Sequence, residues 1–162
     1  MSGLAQLMLS KGKKVSGSDR SSSKIVKHLE ELGCSIYIGQ SKENISNPDL
    51  VVYTDAIADD NEELIAAKNL GCPVVTRGVF LGALMRNYNN SIAVSGSHGK
   101  STTTSMISKI LVNSDKDATI LLGGQLDEIK GNVRVGSSEY LVTEACEYKG
   151  NIRYYFPQTV IC

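Results

Sequence analysis

Residues 91–104 read SIAVSGSHGKSTTT. The first four have the small and branched apolar composition of a buried β-strand, and the residues from Ser101 onward are compatible with a helix. Between them lies the segment Gly96-Ser97-His98-Gly99-Lys100-Ser101-Thr102. A strand, a glycine-containing loop and a helix in this order form the context that a phosphate-binding loop requires. The stretch therefore predicts an α/β fold with a nucleotide-phosphate site.

Each residue type in this loop has a physical task. Glycines let backbone amides turn toward phosphate oxygens, and the helix amino terminus adds partial positive charge. The Lys100 ammonium neutralises the β- and γ-phosphates, and the Ser101 hydroxyl ligates magnesium. The full Walker pattern is not met, because Val94 stands where its first glycine is expected. The alternative interpretation is a serine-rich helix-capping turn beside an incidental lysine. His98 either touches substrate or presents a polar tip to solvent.

Outward from this loop, apolar strand-like runs alternate with helix-like runs in both directions. A polar Asn-Tyr-Asn-Asn cluster at 87–90 interrupts the pattern and predicts a linker between two units. Alternation of this kind predicts right-handed crossovers and a mostly parallel, doubly wound sheet in each unit. Strands are expected at 15–18, 35–38, 50–53, 73–76, 91–94, 118–122 and 140–143, with another starting at 159.

Ligands of such sheets bind beyond the carboxyl ends of the strands, so acidic residues at those ends are of interest. Glu144 ends the strand at 140–143, and Glu147 follows three residues later. A carboxylate there is suited to magnesium, although a solvated strand end is an equally simple interpretation. Asp19 ends the strand at 15–18, where an acidic residue binds a ribose hydroxyl in dinucleotide folds or serves only as a turn residue.

Composition excludes several classes of protein. The 17 basic and 17 acidic residues balance, so no basic surface for nucleic acid is indicated. No apolar run approaches the roughly 20 residues of a membrane span. Residues 1–10 do not resemble a secretory signal, which predicts a cytoplasmic location. The cysteines Cys34, Cys72, Cys146 and Cys162 are scattered, which argues against a zinc or redox motif.

Taken together, these motifs resemble the Mur ligase family over nearly the whole chain. The resemblance is carried by Met-Ser-Gly-Leu-Ala at 1–5, Ser-Gly-Ser-Asp at 16–19, Leu-Glu-Glu-Leu-Gly at 29–33, Val-Val-Tyr-Thr-Asp-Ala-Ile at 51–57, Pro-Val-Val-Thr-Arg at 73–77, the glycine loop at 96–104 and Glu-Ala-Cys-Glu-Tyr at 144–148.

The resemblance implies a Rossmann-like UDP-binding domain over 1–88 that lacks its first strand, and the first part of a P-loop ATP-binding domain over 89–162. It implies peptidoglycan precursor synthesis in which ATP activates UDP-N-acetylmuramate as an acyl phosphate and L-alanine attacks it. Lys100 would be catalytic and bind ATP within the loop 96–102, and Ser101 and Glu144 would hold Mg²⁺. The residues facing the uridine nucleotide would be Ser18, Asp19, Thr54, Asp55, Ala56 and Ile57.

Departures from the family pattern predict a fragment that is inactive alone. Family members carry a strand and a glycine-rich loop before the Met-Ser-Gly motif, and an Asp-His segment and a third domain after the part matched here. The missing segments of the same enzyme are therefore expected partners. Asn-Ile-Arg at 151–153 replaces a usual Ser-Phe-Leu. The alternatives are a non-catalytic nucleotide-binding remnant of a broken or split gene, or a dinucleotide-dependent oxidoreductase, which the absence of Gly-x-Gly-x-x-Gly disfavours.

Overall fold

A computed structural model describes residues 1–162, which divide into two compact units, Met1–Arg77 and Gly78–Cys162. The elements of the first unit are α1 (Ser2–Ser10), β1 (Ser16–Asp19), α2 (Lys24–Glu31), β2 (Ser35–Ile38), β3 (Val51–Tyr53), α3 (Glu62–Asn69) and β4 (Val74–Thr76). Those that follow are α4 (Arg77–Met85), β5 (Asn90–Val94), α5 (Lys100–Val112), β6 (Thr119–Leu126), β7 (Gly131–Arg134), β8 (Tyr140–Glu144) and β9 (Thr159–Ile161).

The first unit contains two parallel strand pairs, β1 with β2 and β3 with β4. Two of its helices, α2 and α3, begin where the sequence supplies caps. The Ser23 hydroxyl accepts a hydrogen bond from the Val26 amide at 3.2 Å, and the Asn61 side chain accepts one from the Leu64 amide at 3.1 Å. These caps satisfy amides that the first turn of a helix leaves unpaired. The expected α/β class with parallel strands is confirmed, and the expected loss of a first strand stays a prediction.

The second unit is built on one five-stranded sheet in the order β7-β6-β8-β5-β9. Four of the strands are parallel, and β7 pairs antiparallel with β6 at one edge. Ala118, which directly precedes β6, and the alternate β6 residues Ile120 and Leu122 are buried in a core that Leu111 of α5 also contacts. The helix α5 packs on β6 and β8. The sequence did not predict the strand β7, because this strand is only four residues long and does not form an apolar run.

The division between the units falls between Arg77 and Gly78, at the start of α4, rather than at 88/89, the boundary predicted from the polar cluster. Tyr88, inside that cluster, is only 5% exposed, and its hydroxyl lies 3.4 Å from Thr119 Oγ1. Asn90 already belongs to β5. The cluster is therefore part of the second unit and not a linker. The assignment of the two segments to UDP and ATP binding stays a prediction.

Within the second unit, α4 approaches the segment 148–154 closely at two glycines that lie one turn apart. A Cβ at Gly82 would lie 1.8 Å from the carbonyl oxygen of Tyr154, and a Cβ at Gly78 would lie 2.2 Å from Asn151 Oδ1. Only glycine permits so close an approach of backbone to helix. This contact fixes the segment 148–154 that follows β8.

We predict that Gly82→Ala lowers the free energy of unfolding by about 1–3 kcal/mol, the usual cost of overpacking a tight contact. The Tyr154 carbonyl belongs to the backbone and cannot rotate away as a side chain can. Urea unfolding followed by circular dichroism measures the change. Gly124→Ala is the matched control, since its Cβ would meet nothing within 4 Å. Equal midpoints for the two variants would contradict this account of the packing.

Candidate functional site

The candidate site lies at the carboxyl edge of the five-stranded sheet, where β5 and β8 end side by side. The parallel register pairs Val94, the last residue of β5, with Glu144, the last residue of β8. The Ala145 amide donates to the Val94 carbonyl at 2.8 Å, so the pairing extends beyond the strand end. The loop 95–99 and the Glu144 carboxylate therefore emerge from adjacent strands at one edge.

The glycine loop has the backbone conformation expected of an anion cradle. Gly96 and Gly99 both have positive φ, at 133° and 77°, a region that residues with a Cβ rarely adopt. Gly99 is the N-cap of α5 and supplies no side-chain acceptor. The first amides of α5 therefore lack the side-chain cap that α2 and α3 possess, and they are available to an anion.

Lys100 reaches back over this loop. Its ammonium donates to the Gly96 carbonyl at 2.6 Å and lies 3.2 Å from Glu147 Oε1. The Thr104 hydroxyl, buried in α5, donates to the Lys100 carbonyl at 2.7 Å and fixes the first turn of the helix. The lysine is thus anchored by its backbone at the helix start, while its charged end lies over the cradle.

Ser101 and Glu144 are brought together as expected. The Ser101 hydroxyl lies 3.1 Å from Glu144 Oε2, and the Gly123 amide of β6 donates to the other carboxylate oxygen at 2.9 Å. Gly123 therefore orients the carboxylate, and a Cβ there would lie 3.1 Å from Glu144 Oε2. Sequence analysis missed Gly123, although a glycine directly after an apolar strand was a signal of close approach.

The Ser101–Glu144 pair fits a magnesium ion. Magnesium prefers oxygen ligands at 2.0–2.1 Å in octahedral geometry, which places adjacent ligand oxygens about 3 Å apart. The observed separation is 3.1 Å. No group of three His, Cys, Asp or Glu side chains is positioned to hold a metal. An ion here would accordingly take its remaining ligands from phosphate and water, which is the usual habit of magnesium in nucleotide sites.

The other predicted loop residues lie at the surface of the second unit. Ser97, His98 and Thr102 are exposed, and Gly96 is half-buried. The structure shows no contact that decides between a substrate role and a solvent role for His98. The loop roles therefore stay predictions, with Lys100, Ser101 and Glu144 the residues that the structure brings together.

The predicted uridine-facing residues of the first unit lie at the ends of β1 and β3. The Asp19 carboxylate accepts the Ser21 amide at 3.3 Å, and the Thr54 carbonyl accepts the Ile57 amide at 3.0 Å in a tight turn. The Ser18 hydroxyl donates to Glu63 Oε2 at 2.6 Å. Ser18 therefore holds α3 beside β1, a structural task that sequence analysis did not foresee.

Asp55 and Ala56 occupy the middle of the same turn. The Ala56 amide lies 3.4 Å from Thr54 Oγ1, so the threonine side chain shapes the turn. Asp55 is half-buried and Ala56 is exposed. The two strands β1 and β3 belong to different sheets, and a shared nucleotide-binding role for their ends stays a prediction.

Comparison with known proteins gives matches over both units. The family model described as the Mur ligase family, catalytic domain, matches residues 1–89. The UDP-N-acetylmuramate–L-alanine ligases of Clostridium novyi and Clostridium tetani are 53% and 54% identical over 157 residues, which is 97% of this chain and 34% of each relative. The chain thus spans about a third of the length of these curated relatives.

Two solved structures also match most of this chain. The UDP-N-acetylmuramate-alanine ligase of Thermotoga maritima superposes with a TM-score of 0.83 at 34% identity, covering 89% of this chain and 34% of that one. A murein peptide ligase of Psychrobacter arcticus gives a TM-score of 0.88 at 28% identity, covering 99% of this chain and 39% of that one. None of the helices in the present structure combines the length and apolar composition that a membrane crossing requires.

The ion pair at the loop generates a prediction about Glu147. Its own backbone amide and then the Lys100 ammonium hold the pKa of the Glu147 carboxyl below its ordinary value. Because the pKa of Glu147 is lower in the folded than in the unfolded chain, the ionised carboxylate stabilises the fold. This stabilisation is complete at neutral pH and is lost as the pH falls below about 4.3. Lys100→Met should raise the pKa of Glu147 while leaving it below the ordinary value, since the first cause remains.

Carboxyl NMR titration measures this pKa directly. Lys109→Met, at the far end of the same helix, is the matched control, because Lys109 pairs instead with Glu128. The pKa of Glu147 should not move in the control. A pKa of Glu147 that is the same in both variants and in the unsubstituted chain would show that the Lys100 contact is not formed in solution.

Proposed function

Because this chain belongs to the Mur ligase family, we propose that it forms the part of an ATP-dependent ligase that binds UDP-N-acetylmuramate and ATP. The whole ligase would join L-alanine to that sugar nucleotide. The relatives that match almost the whole chain carry the name of this activity. Family membership leaves the oxidoreductase alternative without support. A cytoplasmic location stays a prediction.

The observation that carries the proposal is the convergence of Lys100, Ser101 and Glu144 at the end of β5 and β8. An uncapped helix start and a lysine favour a polyphosphate, and two oxygens 3.1 Å apart favour a magnesium ion. In a ligase of this class, ATP supplies the energy by activating the lactyl carboxylate as an acyl phosphate, and the amine of L-alanine displaces phosphate to form the amide.

The residues that meet at this edge, and those at the ends of β1 and β3, each have a defined task in this proposal. Lys100 binds and orients the β- and γ-phosphates and offsets negative charge that grows during transfer. Ser101 and Glu144 hold the ion, and Gly123 keeps the carboxylate pointed at Ser101. The residues at the ends of β1 and β3 bind the uridine nucleotide. Remote binding of this kind aligns the reacting groups of a substrate.

We predict that Lys100→Ala weakens ATP binding at least tenfold, with or without magnesium, because a charge-assisted contact to phosphate is lost. Glu144→Gln and Ser101→Ala should instead remove only the increase in affinity that magnesium confers. Isothermal titration calorimetry with ATP, in buffer containing either Mg²⁺ or EDTA, separates the two effects.

Lys109→Ala is the matched control for charge on the same helix, and it should bind ATP like the unsubstituted chain. Unchanged ATP affinity in Lys100→Ala would contradict the phosphate-loop assignment. A magnesium effect that survives in both Glu144→Gln and Ser101→Ala would contradict the shared ion site.

We also predict that a polypeptide of residues 1–162 does not by itself make UDP-N-acetylmuramoyl-L-alanine. The ligation requires the acyl phosphate and the amine to be held together away from water, and the chain spans only about a third of the relatives that carry this activity. Mass spectrometry of a mixture with ATP, Mg²⁺ and both substrates is the assay, with a full-length relative as positive control. Turnover comparable to the control would contradict this prediction.

A further inference from the structure

Glu147 is a charged residue at the candidate site for which the proposed reaction supplies no task. Its carboxylate lies 3.2 Å from the Lys100 ammonium, which also donates to the Gly96 carbonyl. The Lys100 side chain is 19% exposed and the Glu147 side chain is 55% exposed. The phosphate-binding charge is therefore neutralised, in this structure, by a half-exposed carboxylate of the same chain.

The backbone of Glu147 is fixed by its surroundings. On one side, the strand pairing continues to Ala145, whose amide donates a hydrogen bond to the carbonyl of Val94 at the end of β5. On the other side, the Gly150 amide donates to the Glu147 carbonyl at 2.9 Å in a turn where Lys149 and Gly150 both have positive φ. The segment then continues to the buried Asn151, which packs against α4. The backbone of Glu147 is thus held on both sides, while its half-exposed carboxylate contacts its own amide and the Lys100 ammonium.

A phosphate group and the Glu147 carboxylate require the same ammonium. The Glu147 carboxylate beside Lys100 also repels an anion that approaches the loop, since two negative charges a few ångströms apart repel each other. Exposed ion pairs are weak, whereas a polyphosphate with its ion offers several charge-assisted contacts at once. The nucleotide is therefore able to replace Glu147, at the cost of breaking the ion pair.

We infer that Glu147 is a positioning residue that occupies Lys100 in the absence of nucleotide and is displaced by the phosphates when they bind. This inference rests on the proposed function, because it requires Lys100 to bind phosphate. The carboxylate holds the lysine over the loop, and it lowers the affinity of the loop for every anion by the equilibrium constant of the ion pair.

The test is the affinity of the chain for ATP in EDTA-containing buffer, measured by calorimetry for Glu147→Gln and for Glu139→Gln. Glu139 is a matched control, since it lies at the opposite end of β8, where its carboxylate accepts a hydrogen bond from the Asn89 side chain. We expect Glu147→Gln to bind ATP about two to five times more tightly, the range that exposed ion pairs of this kind span. Glu139→Gln should not change the affinity. A gain of affinity is a readout that loss of structure alone would not produce.

A second measurement distinguishes competition from a change in the fold. Added to Lys100→Met, the Glu147→Gln substitution should raise the ATP affinity by less than it does in the unsubstituted chain, because only the direct repulsion of the anion then remains to be relieved. ATP binding that depends on Lys100 but is unchanged or weaker in Glu147→Gln would overturn the inference while leaving the proposed function intact. Absence of ATP binding in the unsubstituted chain would overturn both.

Discussion

The parallel pairing of β5 with β8 is the constraint on which the candidate site depends. Because Val94 lies opposite Glu144, the loop that leaves one strand and the carboxylate that ends the other must meet at the same edge. The helix that follows the loop has Lys100 and Ser101 as its first two residues, at a start that no side chain caps. Slipping the register by one residue would turn Glu144 to the opposite face of the sheet and dismantle the site.

Close backbone approach is the second requirement, and glycines provide it at the edges of the site. Gly123 admits the Glu144 carboxylate to the β6 backbone, and its amide orients the carboxylate toward Ser101. Gly82 admits the segment after β8 to the surface of α4. Glu147 directly precedes this segment, and its carboxylate lies 3.2 Å from the Lys100 ammonium.

Much of the fold was predictable because its signals are local. Apolar runs ended by glycine or a polar cap marked most strands and helices, and the strand-loop-helix order predicted a phosphate loop, which stays a prediction. The proximity of Ser101 and Glu144 was also predictable, since carboxyl ends of parallel strands share one edge. The structure differs where the signal depends on the tertiary fold. Tyr88 is buried inside a polar cluster that predicted a linker, and its hydroxyl lies 3.4 Å from Thr119, far along the chain.

The contacts that sequence could not supply are those between side chains distant in the chain. The Glu147–Lys100 pair spans 47 residues and carries no pattern of spacing. The Ser18–Glu63 hydrogen bond likewise could not be predicted, because a serine at a strand end indicates a ligand contact as readily as a structural one, and the nucleotide role of Ser18 stays a prediction. The edge strand β7 was missed since a short polar segment becomes a strand only when a neighbour pairs with it.

The central claim is that the edge formed by β5 and β8 holds a magnesium nucleotide. Its most direct measurement is anomalous diffraction from a crystal of the chain grown with Mn²⁺ and a non-hydrolysable ATP analogue. The account predicts one manganese peak in direct contact with Ser101 Oγ and a Glu144 carboxylate oxygen, with the Lys100 ammonium on the analogue's phosphates. A peak away from both residues, or an analogue bound away from the 96–102 loop, would contradict it.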